Sequence, residues 1–157
     1  MYLRTAATAL LLLLTTSLPA LAQDMVSAAD PDSVIAALQD AGYKAQMDSA
    51  DNGDPMIRSA ADGTNFRLWF YGCDGNNAGC TGFNFSAGFD LENGSSFEAI
   101  DAWNDGQLLG YGNLDDENDP YLNYFVVTNG GISKEAFASI LSRWELAIVD
   151  YKKHIGF

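Results

Sequence analysis

The chain has 157 residues and a formal net charge of −13, with 21 Asp and Glu set against eight Lys and Arg. Such a surface repels phosphate backbones and anionic membranes, which disfavours nucleic acid as a partner and gives no basis for membrane insertion. Nine Phe, seven Tyr and three Trp argue against a disordered acidic chain and for a packed core.

The N-terminus has the layout of a cleaved secretory signal. Arg4 gives the positive start, Ala9 to Leu14 the apolar centre, and Ala20-Leu21-Ala22 the small-x-small exit. The apolar run is short of the ~20 residues that a spanning helix needs. Residues 1–22 are therefore read as a signal peptide cleaved after Ala22, residues 23–29 as a flexible leader, and 30–157 as one domain. Losing Arg4 takes the charge from −13 to −14. The protein is expected to be exported, to the periplasm or the medium.

Asp30-Pro31 opens a helix, with Asp as the N-cap, Pro in its first turn, a stripe of Val34, Ile35 and Leu38, and Gly42 as its stop. Two strands are expected near Tyr43–Asp48 and Met56–Ala60, joined by a turn at Asn52-Gly53-Asp54-Pro55. Asn65–Gly72 and Gly82–Asp90 alternate with period two and form the clearest hairpin. Between them lie the only cysteines, Cys73 and Cys80. In an exported chain a disulfide is the default, against a free redox pair or half of a metal site. If the two cysteines face each other, Phe70 opposes Phe83 and Leu68 opposes Phe85 on an apolar face. Tyr71 then opposes Gly82, Trp69 opposes Asn84, and Arg67 opposes Ser86 on a mixed face.

A capping box at Ser95-Ser96-Phe97-Glu98 starts a short helix running to about Trp103. Strands near Leu108–Leu114 and Tyr121–Val127 flank an acidic turn. Ser133 caps the last helix, whose stripe is Phe137, Ile140, Leu141, Trp144, Ala147, Ile148, Tyr151 and Ile155. Leu146 and Val149 lie off that stripe. Lys152, Lys153 and His154 suit the negative end of the helix dipole.

Candidate chemistry is sparse. His154 is the only histidine, and no nucleophile elbow, Ser-x-x-Lys or His-Glu-x-x-His pattern is present, so no catalytic residue is assigned and no cofactor is implied. Asp115, Glu117 and Asp119 alternate like the first ligands of a calcium loop, and are the weak metal candidates. Pro120 stands where that loop requires glycine, and Val126 where it requires glutamate. The bland reading is a solvated acidic turn. Trp69 and Tyr71 form the candidate interaction surface. They serve either sheet packing, with Tyr71 covering Gly82, or docking of a partner or a second copy.

The run Ile100-Asp101-Ala102-Trp103-Asn104, the stretch Leu114-Asp115-Asp116-Glu117-Asn118-Asp119-Pro120-Tyr121-Leu122, the turn Asn129-Gly130-Gly131-Ile132-Ser133 and the closing helix with Trp144 resemble the YbjN family of bacterial sensory transduction regulators. The resemblance spans about Asp30 to Ile155, including the Cys73–Cys80 hairpin. It implies an α+β fold like that of type III secretion chaperones. Helices would pack on an antiparallel sheet of five to six strands, in the order α-β-β-β-β-α-β-β-α. It carries no catalytic residues. The function expected is a non-enzymatic, chaperone-like module that binds a protein partner or dimerises. The alternatives are a small-ligand or calcium-binding sensor and, third, an enzyme.

Overall fold

The hairpin between Cys73 and Cys80 lies at the middle of the sheet, and the fold is laid out from it. The computed structural model describes residues 25–157, so the signal-peptide reading lies outside the described residues. In chain order the elements are β1 (Met25–Val26), α1 (Pro31–Asp40), β2 (Ala45–Ser49), β3 (Pro55–Ala61), β4 (Thr64–Tyr71) and β5 (Gly82–Gly88). Then come α2 (Phe97–Gly106), β6 (Tyr111–Leu114), β7 (Pro120–Val127), β8 (Ile132–Ser133) and α3 (Lys134–Ile155). Six strands form one antiparallel sheet in the order β2-β3-β4-β5-β7-β6. This is the α+β architecture and the element order read from the sequence, with two short strands added.

Cys73 and Cys80 are disulfide-bonded. The register across β4 and β5 is the one the cysteines imply: Phe70 opposes Phe83, Leu68 opposes Phe85, and Trp69 opposes Asn84. Phe66, Leu68, Phe70, Phe83 and Phe85 are buried on one face. There Trp144 of α3 sits 5.4 Å from the Phe85 ring and edge-on to Phe66 at 5.8 Å, and Phe137 packs on Phe83 and Phe85. Burying each such side chain contributes about 1.5–3 kcal/mol, so α3 clamps the hairpin with its apolar stripe. The stripe is as expected; Leu146, off it, is exposed.

The described part of the stretch read as a flexible leader, from Met25 on, is instead docked. Met25–Val26 pairs with Ile132–Ser133, and Val26 and Ala28 are fully buried. The Ala28 N–H donates to the Thr128 hydroxyl at 2.8 Å, which fastens this segment to the end of β7. The start of α1 also differs. Asp30 stands at the N-cap position, but its carboxylate makes no capping bond; Ser33 Oγ donates to the Asp30 carbonyl at 2.6 Å. The cap of α2 is Ser96 rather than Ser95, its hydroxyl accepting the Ala99 N–H at 3.2 Å. The strand expected from Leu108 begins only at Tyr111. Gly110 has a φ of 74°, a turn conformation that ends any strand on its N-terminal side, and Leu108 is wholly exposed.

Tyr151 locks α2 and α3 to the sheet. Its ring lies 4.8 Å from Trp103 and 5.5 Å from Phe89, and its hydroxyl donates to the Tyr121 carbonyl at 3.1 Å. His154, expected as a dipole cap, hydrogen-bonds the Ala99 carbonyl through Nε2 at 2.7 Å and so ties α3 to α2. Burial pushes the Tyr151 phenol well above the ordinary tyrosine range. Burial, with a 2.8 Å bond to the Glu145 carboxylate, pushes Tyr43 up to about 12.

Candidate functional site: the open face of the sheet

Strand alternation sends every second residue of the sheet away from the helices. On this open face, β5 carries Gly82, Asn84, Ser86 and Gly88, all small, and becomes the floor of a shallow groove. Rings from β7 lie across both glycines. A Cβ built on Gly82 would come within 2.8 Å of Phe125 Cζ and 2.7 Å of the Val126 carbonyl oxygen. One on Gly88 would come within 2.7 Å of the Tyr121 ring. Only glycine lets the rings fold down so closely over a strand.

The two walls are apolar, with three aromatic rings among them. On β4, Trp69 is half-buried, and Tyr71 is 49% exposed. On β7, Phe125 is 46% and Val127 59% exposed. Tyr71 meets Phe125 edge-on at 6.0 Å, so the two walls touch over Gly82. Phe125, which the sequence reading did not single out, supplies the side-chain atoms nearest a Cβ on that glycine, beside its cross-strand partner Tyr71. Across the floor, Asn84 Nδ2 donates to Asn123 Oδ1 at 2.9 Å, and Asn123 Nδ2 to Asn113 Oδ1 at 2.6 Å. This amide ladder stitches β5, β7 and β6 through Asn84 Nδ2, while Asn84 Oδ1 is buried with no hydrogen-bond partner among the described residues.

At its other end the groove opens to about 680 Å³, lined by Lys44 and Gln46, by Arg58 of β3, by Asn65, Arg67 and Trp69 of β4, and by Ser86, Asp90, Asp119 and Tyr121. Arg58 and Arg67 are direct cross-strand partners on this face. Like charges so placed destabilise a sheet. Arg58 Nε is 3.1 Å from the Asp48 carboxylate, while the Arg67 guanidinium lies 5.8 Å over the Trp69 ring. Neither Arg67 nor Lys44 has an acidic partner among the described residues.

The predicted residues distribute unevenly over this geometry. Trp69 and Tyr71 fall on one wall, as the hairpin register requires. The acidic turn lies apart from the aromatic patch, with only Asp119 reaching the groove lining, and its carboxylates hold the backbone. Asp115 Oδ1 accepts the N–H groups of Glu117 and Asp119, both at 2.9 Å, and Asp119 Oδ1 accepts that of Leu91 at 3.0 Å. Among the described residues, no group of three or more His, Cys, Asp or Glu is placed to hold a metal ion. Phe125, Val127 and the Arg58–Arg67 pair escaped the sequence reading. Alternation through Tyr121–Val127 carried the signal for the first two. The arginine pair needed the β3–β4 register, which no cysteine pins.

Comparison with known proteins gives one finding. Residues 30–157 match the model of the YbjN family, described as "Putative bacterial sensory transduction regulator". No curated protein and no solved structure matches the chain. No helix among the described residues is long and apolar enough to cross a membrane, and the disulfide fits an oxidising compartment.

Proposed function

Since the chain belongs to the YbjN family, we propose that it is a non-enzymatic, chaperone-like regulatory module that binds another protein through the open face of its sheet. It works outside the cytoplasm after residues 1–22 are removed at Ala22. The observation that carries this reading is the apolar row of exposed Tyr71, Phe125 and Val127 with half-buried Trp69, on the face that the helices do not use. Large rings on a rigid support make good interface anchors, because little side-chain freedom is lost on docking. The groove supports a second reading, a small-ligand sensor, since about 680 Å³ lies within the span of ligand pockets.

A cross-linked pull-down from the host's exported fraction tests the first reading, with wild type, Trp69→Ala and Leu146→Ala compared. Leu146 is exposed on α3, away from the groove, and controls for loss of any apolar contact. Partner yield falls with Trp69→Ala and holds with Leu146→Ala. Equal yields from all three variants would remove the open face from the account.

A further inference from the structure

We infer that the protein partner reaches the open face with an acidic segment. Its carboxylates settle on Arg58, Arg67 and Lys44, and its apolar side chains lie against Trp69 and Phe125. This rests on the open-face reading above and names the chemistry of its partner. The net charge of the chain points the other way, towards a basic client. Local charge decides the matter, because at physiological salt exposed charges are screened beyond ~8 Å.

Three observations support a basic corner. Eight Lys and Arg occur in the sequence, and one is Arg4. Of the seven that remain, Lys44, Arg58 and Arg67 line one groove, and Arg143 stands exposed on α3, outside it. Lys134, Lys152 and Lys153 are each tied to a neighbouring carboxylate, of Asp40, Asp62 and Asp150. Second, Arg58 and Arg67 face each other across β3 and β4, an arrangement that repels until an anion sits between them. Their planar forks are the donors best matched to carboxylates. Third, the acids of the groove stand at the far corner. Asp90, just past β5, and Asp119, just before β7, lie four residues along from Ser86 and Asn123, the row of Arg67, one and two strands over from β4. By strand geometry those separations are roughly 14 Å for Asp90 and roughly 17 Å for Asp119, about two Debye lengths, so the two acids do not cancel the basic corner. Asp48 offsets Arg58 in part, and within the groove Arg67 and Lys44 have no acidic partner among the described residues.

The aromatic row continues this corner. Trp69 is two residues from Arg67 on the same face, and Phe125 lies across Asn84 from it. An extended segment alternating acidic and apolar residues would meet both in turn.

The test is fluorescence anisotropy on the full mature chain with two labelled peptides, one alternating glutamate with tyrosine and one alternating lysine with tyrosine. The acidic peptide is expected to bind, and more weakly as salt rises. Arg67→Glu and Arg67→Gln should weaken it by about tenfold or more, with the fold checked by circular dichroism. Lys153→Glu, with the same charge change on the helical side, should leave it unaltered. Preference for the lysine peptide, or equal loss with Lys153→Glu, overturns the acidic partner, and open-face docking survives if Trp69→Ala still weakens binding. Binding of citrate alone, lost in Arg67→Glu, would make the corner a small-anion site and overturn the protein segment. If neither peptide binds and Trp69→Ala leaves the pull-down intact, both readings fall.

Discussion

Replacing Gly82 and Gly88 by alanine, one at a time, tests how the groove is built. Both glycines sit in extended backbone on β5, and both lie beneath a ring from β7. Alanine at either position gains about 0.4–1 kcal/mol by restricting the unfolded chain. What the new methyl group meets then separates them. At Gly82 it would stand 2.7 Å from the Val126 carbonyl oxygen, a backbone atom held in the β5–β7 ladder, as well as 2.8 Å from Phe125. Relief requires the ladder to part, and overpacking of this kind costs about 1–3 kcal/mol. At Gly88 the contacts are all with the Tyr121 side chain, whose ring can swing into the groove. Gly82→Ala should therefore lose about 1–2 kcal/mol in urea unfolding, and Gly88→Ala should stay within about 0.5 kcal/mol of wild type. Gly82→Ala should also weaken partner binding, because it lifts Phe125 from the wall it shares with Tyr71. Equal costs, or a larger cost for Gly88→Ala, would refute the claim that the ladder carbonyl sets the limit.

Three further outcomes are expected. Cys73→Ser with Cys80→Ser should lower stability by roughly 2.5 kcal/mol from the entropy of the short loop; denaturant melts of the oxidised wild type and the double variant give the difference. Tyr43 has a folded pKa raised to about 12 against 10.0 for the free side chain. Its contribution is then fully present below pH ~10 and lost as pH rises towards 12, because the unfolded chain gives up that proton first. Alkaline titration of unfolding should show this loss in wild type, and a smaller one in Tyr43→Phe. Intact mass of the exported protein should begin at Gln23; a form retaining Met1 to Ala22 would contradict export by signal cleavage.

How much was legible depends on what fixed each register. The β4–β5 pairing could be written from sequence because two cysteines gave a reference point and alternation gave the faces, so Trp69 and Tyr71 fell together. The stripe of α3 was equally plain, since eight apolar positions at helical spacing leave one solution. Met25–Val26 was missed because two residues beside a predicted cleavage point hold no periodicity, and only Ile132 and Ser133, over 100 positions away, give them partners. Leu108-Leu109 read as strand by composition, yet Gly110 in its turn conformation cut it short. The Arg58–Arg67 pair joins strands whose turns, Ala50 to Asp54 and Asp62-Gly63, fix the register by backbone geometry.

The central claim is that one face of the sheet holds the partner and the other holds the helices. Photo-cross-linking residues placed singly at Tyr71 and Phe125 on the open face, and at Ser142 and Leu146 on the outer side of α3, test it most directly in the living host. The account predicts partner adducts from Tyr71 and Phe125, suppressed when Arg67→Glu is added, and none from the α3 positions. Adducts from Ser142 or Leu146 with none from the open face would contradict it.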